Sequence, residues 1–375
     1  MLHGRRNPGP FHGRQTLLKL IGNCVITALL CVSVQANAQT TLISAMDTGI
    51  SPACTPAPAK LDEKGFVSIG GIEQWITVKG DSCANPVILF ISGGPGNPLS
   101  PYSDAVYGAW AKDFTLVQWD QRGAGKTFGR SPPAPDATLT IEQMRNDGNE
   151  LAAYVTHRYG KQKVILWGSS WGSVLAVHMA KVHPELFYAY LGTSQLVSTR
   201  ENEATSYANL LKLVRAADDK PSLAALDGVG APPWMDPRSF GKVRKVIRKY
   251  ETKVTTAAPE AWWTPLDEYS TPKAQADYEA GEDYSFINFV GMKSDGMASH
   301  IDLPALGTGF AIPMFFVEGA HDLLALPEVA QRYYDSLTAP QKHLVILEHA
   351  GHDPNQDVVD AEYKILMERI LPLTK

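Results

Sequence analysis

The sequence contains little cysteine and no metal-binding pattern. Cysteine accounts for only 4 of the 375 residues. There is no CxxC pair, no HExxH motif, and no cluster of histidine and cysteine with metal-ligand spacing. We therefore predict no metal site and no cofactor.

Long apolar runs are equally scarce, and the one that occurs lies near the N-terminus. The first 19 residues contain four basic and no acidic residues, and an apolar stretch follows from about Leu20 to Val34. Ala36-Asn37-Ala38 then supplies small residues, and this layout is typical of a secretory signal peptide, which we place at residues 1–38. An uncleaved anchor is the alternative. The stretch is short for a membrane span, so we expect an exported protein, periplasmic or secreted, without stable membrane insertion after cleavage.

Two cysteines follow the predicted signal peptide. Cys54 lies near the start of the expected mature chain, and Cys83 lies just before a predicted strand. Exported proteins meet oxidising compartments, so we predict a Cys54–Cys83 disulfide, with two unpaired thiols as the alternative. Closing a loop of about 30 residues stabilises a fold by roughly 3 kcal/mol.

An excess of positive charge is also absent. The formal net charge is −5, and it falls to −9 when the four basic residues of the predicted signal peptide are removed. A field of this sign does not attract nucleic acid or anionic membranes, so we predict neither as a partner. The sequence leaves the oligomeric state open.

Short, continuously apolar segments recur through the rest of the chain. Residues 87–91, 114–119 and 163–167 are examples. Such strands are buried on both faces, as in a parallel sheet that is covered by helices. With the helical segments between them, they predict an α/β fold with a mostly parallel central sheet, formed by residues 39–196 and 307–375. The other predicted strands are 65–69, 74–78, 188–191, 313–317 and 344–347.

The interval 197–306 contains no clear strand. Helical patterns cover 201–217, 240–252 and 271–279, and the segment is rich in acidic residues and tryptophan. A helical segment inserted between two strands of a sheet predicts a lid over an active site. An ordinary peripheral layer of helices is the alternative.

The pentapeptide Gly168-Ser169-Ser170-Trp171-Gly172 follows one of the apolar runs and precedes a helical pattern. Strand, sharp turn and helix form the context in which a G-x-S-x-G motif is a nucleophile elbow. Only Ser170 has glycine two residues before and two residues after it. We predict that Ser170 is a catalytic nucleophile, with Ser169 as its competitor.

A serine nucleophile needs a base, and the base needs an acid that holds its tautomer. In the chain order Ser, acid, His, the acid follows a late strand and the histidine follows the last strand. Asp322 and His352 occupy those positions. Asp353 and Asp357 are the alternative acids, and we interpret the nearby His321 and His349 as polar loop residues.

Four segments occur in one order along the chain: Gly93-Gly94-Pro95-Gly96, Asp120-Gln121-Arg122-Gly123-Ala124-Gly125, Gly168-Ser169-Ser170-Trp171-Gly172-Ser173, and Ala350-Gly351-His352. With these segments the chain resembles the proline iminopeptidase-like serine peptidases of the α/β-hydrolase superfamily, over roughly residues 65–200 and 310–372. The first three are similar to the family's HGGPG, DQRGxG and GGSWGS motifs. The chain departs from them at Ser92, where the family has histidine, and at Ser169, where it has glycine.

The resemblance implies an α/β-hydrolase fold and assigns further roles. The backbone N–H groups of Gly94 and Trp171 would form the oxyanion hole, and Arg122 would be a structural tether. Family members bind the free N-terminal amine of the substrate through carboxylates of the lid, and Glu203 is the candidate here. The expected protein is an exported serine hydrolase that removes an N-terminal residue, proline among the candidates, from short peptides. An esterase or amidase that acts on small molecules is the alternative, and a non-catalytic binding protein is a third.

Overall fold

The structure of the protein, a computed structural model, describes residues 41–43, 59–134, 136–234 and 236–375. The predicted signal peptide and Cys54 lie outside these ranges, so the signal peptide and the Cys54–Cys83 disulfide stay predictions. Within the described ranges, no helix combines the length and the apolar character that crossing a membrane requires.

Nine strands form one sheet in the order β1-β2-β3-β5-β4-β6-β7-β8-β9. Strand β3 pairs antiparallel with both β2 and β5, and all other neighbours are parallel. The predicted α/β class with a mostly parallel sheet is confirmed. The strands are β1 Thr41–Ile43, β2 Leu61–Ile69, β3 Ile72–Gly80, β4 Val87–Ile91, β5 Thr115–Asp120, β6 Val164–Ser169, β7 Phe187–Thr193, β8 Met314–Gly319 and β9 Lys342–Leu347.

Helices follow the strands and cover both faces of the sheet. Alternate residues of β4 belong to different apolar clusters: Val87, Leu89 and Ile91 to one, Ile88 and Phe90 to the other. Burial of each such side chain contributes about 1.5–3 kcal/mol, which is why these strands are apolar throughout. The helices are α1 Ser103–Tyr107, α2 Gly125–Arg130, α3 Ile141–Arg158, α4 Trp171–Val182, α5 Thr199–Ala216, α6 Lys220–Val229, α7 Pro237–Glu251, α8 Pro272–Val290, α9 Pro327–Ser336 and α10 Gln356–Ile365.

Helices α5 to α8 form an insertion between β7 and β8. Each begins at a residue whose side chain accepts a backbone N–H of the first turn, namely Ser198, Asp219, Asp236 and Thr271. Such caps stabilise a helix by about 1 kcal/mol each. Three of the helices share a small apolar cluster of their own, which includes Leu210, Leu226, Trp234, Val243 and Ile247.

Helix α8 extends to Val290, well past the predicted end at residue 279. Gly281, just beyond the predicted end, allows a close approach between α8 and α2. A Cβ at Gly281 would lie 3.0 Å from the carbonyl oxygen of Gly123 and 3.1 Å from Cβ of Phe128. Ser285, one turn later, donates to the same Gly123 carbonyl at 2.7 Å. The glycine is therefore a packing site within the helix.

Candidate active site

The turn between β6 and α4 places Ser170 in a strained backbone conformation. Ser170 has φ 54° and ψ −122°, a region that non-glycine residues rarely adopt. Its glycine neighbours are required by close contacts, since a Cβ at Gly172 would lie 1.9 Å from the carbonyl oxygen of Ile91. A Cβ at Gly168 would lie 2.6 Å from the Gly172 carbonyl oxygen. This is the geometry of a nucleophile elbow.

The side chains of Ser170, His352 and Asp322 form a hydrogen-bonded series. His352 Nε2 lies 3.1 Å from Ser170 Oγ, and His352 Nδ1 lies 2.9 Å from Asp322 Oδ2. The three residues come from loops after β6, β8 and β9, which end at the same edge of the sheet. The arrangement can remove the proton from a serine hydroxyl as it attacks a carbonyl carbon.

The surroundings of Asp322 hold its side chain in one position. Its side chain is fully buried, and Oδ1 accepts the backbone N–H groups of Leu324 at 2.8 Å and Ala325 at 2.7 Å. Burial by itself lowers the pKa of His352, but the charge and hydrogen bond of Asp322 outweigh it, so the pKa of His352 is raised above its ordinary value. The aspartate thus favours the imidazolium that a general base must form.

The competing residues lie outside this series. Asp353 and Asp357 are exposed, and His352 Nδ1 contacts Asp322 instead. His349 is exposed and its carbonyl accepts the N–H of Thr256, whereas His321 donates its backbone N–H to Ala350. Of the two serines, Ser170 contacts the imidazole.

The predicted oxyanion residues, Gly94 and Trp171, lie in the loop after β4 and at the start of α4, and both line the same cavity as Ser170. A Cβ at Gly93 would lie 3.2 Å from Cβ of Ser170, so the glycine loop passes directly beside the serine. Gln121 links the two segments. Its Nε2 donates to the Ser92 carbonyl at 2.9 Å, and its Oε1 accepts the Trp171 indole N–H at 3.1 Å.

Arg122 is not among the residues that line the cavity of Ser170. It donates from Nε to Asp147 at 2.8 Å and from Nη2 to the Gly70 carbonyl at 2.7 Å. These contacts join the segment after β5 to α3 and to the β2–β3 hairpin. Arg122 therefore acts as a tether, as the resemblance implied.

A cavity of about 410 Å³ lies over Ser170 and is lined by the sheet edge and by the helical insertion. Glu203 on α5 lines it, and burial raises the pKa of this carboxyl to about 7, against the opposing effect of the Trp234 backbone N–H. Glu282 on α8 lines it too. Burial, together with the charge of Asp283, raises the pKa of Glu282 to about 7.

Sequence reasoning found Glu203 but missed Glu282 and two arginines of α7, Arg244 and Arg248, which line the same cavity. Glu282 lay beyond the predicted end of α8. The arginines lie four residues apart in a predicted helix, so one helix face was detectable, but nothing in the pattern indicated that this face meets the serine. Among the residues that the structure describes, no group of histidine, cysteine or acidic side chains is arranged to hold a metal ion.

Comparison with known proteins gives a consistent family. A model of serine aminopeptidases of family S33 matches residues 85–358. The chain is 27% identical over 300 residues to a probable aminopeptidase, YbaC, of Bacillus subtilis, which covers 77% of this chain and 90% of that protein. It is 25% identical over 286 residues to a probable proline iminopeptidase of Streptomyces coelicolor, which covers 73% of this chain and 85% of that protein.

Solved structures give the same fold. A proline iminopeptidase from Mycobacterium smegmatis superposes with a TM-score of 0.59 at 19% identity, covering 82% of this chain and 97% of that one. At this identity the likeness concerns the fold, and it confirms the predicted α/β-hydrolase class.

Proposed function

The chain belongs to the S33 family of serine aminopeptidases and is a hydrolytic enzyme, and from that premise we propose that it releases the N-terminal residue, proline among the candidates, from short peptides. Family membership sets aside the non-catalytic binding protein. One observation supports the finer proposal: Glu203 and Glu282 are partly buried carboxylates in the cavity that contains Ser170.

In the proposed reaction, Ser170 Oγ attacks the carbonyl carbon of the first residue while His352 Nε2 accepts the hydroxyl proton. The N–H groups of Gly94 and Trp171 stabilise the oxyanion that forms. His352 then gives its proton to the nitrogen of the leaving peptide, and the C–N bond breaks to leave an acyl-enzyme. Water, deprotonated by His352, attacks the ester and regenerates Ser170.

The carboxylates would bind the substrate's N-terminal ammonium. A charged amine that enters a cavity of this kind loses water, and the loss is offset only by a close opposite charge. Because burial holds the pKa of Glu203 and of Glu282 near 7, a bound ammonium also stabilises their ionised forms. Recognition of the amine then selects the N-terminal residue of a peptide.

A comparison of free and N-acetylated aminoacyl arylamides tests this proposal. Glu203→Gln should lower kcat/KM for the free-amine substrate. The corresponding rise in activation free energy is roughly 2–4 kcal/mol, the range for losing one partner of a desolvated charge pair. Hydrolysis of a small neutral ester should change little. Glu201→Gln is the matched control, since Glu201 lies on the same helix but is exposed and pairs with Arg332 at the surface.

If the unmodified enzyme cleaves the N-acetylated arylamide as well as the free one, the aminopeptidase proposal fails. The alternative of an esterase or amidase for small molecules then takes its place, because the same serine machinery cleaves both bonds.

We also propose export with removal of residues 1–38 and a Cys54–Cys83 disulfide, both on sequence grounds. Protein isolated from the periplasm or medium of its own host should give an intact mass that begins at Gln39 or a near neighbour. Thiol titration under denaturing conditions should then find none. A full-length mass, or two thiols per chain, contradicts the corresponding part of the proposal.

A further inference from the structure

Helix α7 directs two arginines into the cavity that contains Ser170. Arg244 and Arg248 are four residues apart, which places them on one face of the helix, and both line the cavity. Arg238, on the same helix, is exposed and does not line the cavity. The amine-binding role proposed for the acidic residues leaves these two cations without a function toward the substrate.

The C-terminal end of α7 is fixed beside the triad. Glu251, the last residue of the helix, accepts the backbone N–H of Leu323 at 2.8 Å, directly after Asp322. Arg248 lies within one helical turn of Glu251. Arg244 lies within two turns, about 10 Å from Glu251 along the helix axis. The position of both arginines relative to the histidine is therefore set by a hydrogen bond to the acid loop.

Arg244 and His352 line the same cavity, and their charges interact. The charge of the arginine opposes protonation of His352, and Asp353, next to that histidine in the chain, stabilises the charge of Arg244. In the proposed mechanism His352 gives its proton to the leaving nitrogen. Arg244 is therefore within electrostatic range of the group that protonates the leaving nitrogen, and its charge acts on Glu282 as well.

We propose that Arg244 and Arg248 bind the C-terminal carboxylate of the substrate, so that the preferred substrates are dipeptides and tripeptides with both ends free. The inference rests on the proposed aminopeptidase function and adds the substrate class. In a dipeptide, a single α-carbon separates the leaving nitrogen from the terminal carboxylate. An arginine close to His352 is therefore within reach of that group.

The charges of the cavity suit such a zwitterion. Glu203 supplies a negative charge for the ammonium end, and the two guanidinium groups, whose charges also act on Glu282, supply positive charge for the carboxylate end. Each guanidinium has five N–H donors, so interactions with the acidic residues of the cavity leave capacity for a substrate carboxylate. The volume of about 410 Å³ suits a small ligand and leaves little room for a long peptide.

The test compares three substrates that share one N-terminal residue: prolyl-alanine, prolyl-alanine amide and prolyl p-nitroanilide. The unmodified enzyme should prefer the free acid over the amide by about tenfold or more in kcat/KM, mainly through KM, because a charge-assisted bidentate contact is lost with the amide. Arg248→Gln should remove most of this preference, and Arg248→Lys should restore part of it. Arg238→Gln, the same change on the exposed face of α7, should retain it in full.

The arylamide separates failure of the inference from failure of the proposed function. It has a free amine but no carboxylate, so it reports any general loss in the Arg248 variants. Equal cleavage of acid and amide by the unmodified enzyme, with active cleavage of the arylamide, overturns the carboxylate site and leaves the aminopeptidase intact. No cleavage of any of the three, or of the matching substrates with N-terminal alanine or leucine, with retained ester hydrolysis, overturns the aminopeptidase itself. The acid-to-amide ratio of the unmodified enzyme decides the question even where Arg248→Gln does not fold.

Discussion

The two halves of the cavity differ in how closely their residues are packed and in how many charged side chains they carry. The half formed by the sheet edge carries the hydrogen-bonded series of Ser170, and its glycines have no free space, as the contact of Gly172 with the Ile91 carbonyl demonstrates. The half formed by the insertion carries charged side chains. A Cβ at Gly241, which lines this half, or at Gly228 of α6, outside the cavity lining, would meet nothing within 4 Å, whereas Gly281 of α8 packs closely against α2. We therefore expect the sheet-edge half to determine the chemistry and the charged half to determine which substrates are accepted.

The halves are nevertheless joined at the acid loop. Ser206 and Asn202 of α5 donate to the carbonyls of Leu323 and Leu324, at 2.5 and 3.2 Å. Glu251 of α7 accepts the Leu323 N–H from the other side. The loop that holds Asp322 is therefore positioned partly by the insertion, so a change there can reach the triad without touching it.

The largest expected effect is in the sheet-edge half. Ser170→Ala should lower turnover at least about 10³-fold and abolish labelling by a fluorophosphonate probe, because only oxyanion and binding contributions remain. The fold should be unaffected, as judged by circular dichroism. Ser169→Ala is the control and should still be labelled. Labelling of the Ser170→Ala protein together with loss of labelling in the Ser169→Ala protein would show that Ser169 is the nucleophile.

A pair of glycine substitutions measures the difference in packing directly. Gly172→Ala should lower the free energy of unfolding by about 3 kcal/mol or more, since the new methyl group meets backbone that cannot move aside. Gly228→Ala, in α6, should raise it by up to about 1 kcal/mol, because alanine restricts the unfolded chain and meets no neighbour. Urea unfolding of both variants provides the comparison. Equal effects would remove the distinction between the two halves.

The difference between the sheet-edge half and the insertion also explains which parts of the fold and of the site could be predicted from the sequence. A continuously apolar segment indicates a strand that is buried on both faces, and residues 87–91 form β4 with the predicted bounds. The triad residues follow strand ends, so their convergence at one sheet edge could be inferred. Glu282 and Arg248 could not, because the direction of a helical side chain depends on how the insertion packs on the core. A local pattern does not contain that information.

The smallest expected effect is a difference in pH dependence between the two halves. Hydrolysis of a neutral ester needs His352 unprotonated, so its kcat/KM should rise with pH through one group whose pKa lies above the ordinary histidine value. A free-amine substrate additionally needs Glu203 ionised, and that carboxyl has a pKa of about 7. Below neutrality Glu203 is protonated and neutral, so one unit below its pKa the free-amine substrate should lose about a further tenfold. The substrate ammonium itself stays charged throughout this range.

The acidic limb should therefore be steeper for the aminoacyl arylamide than for the ester, and Glu203→Gln should reduce its slope. Parallel acidic limbs for both substrates would mean that neither Glu203 nor Glu282 binds the amine, and the charged half of the cavity would need another role.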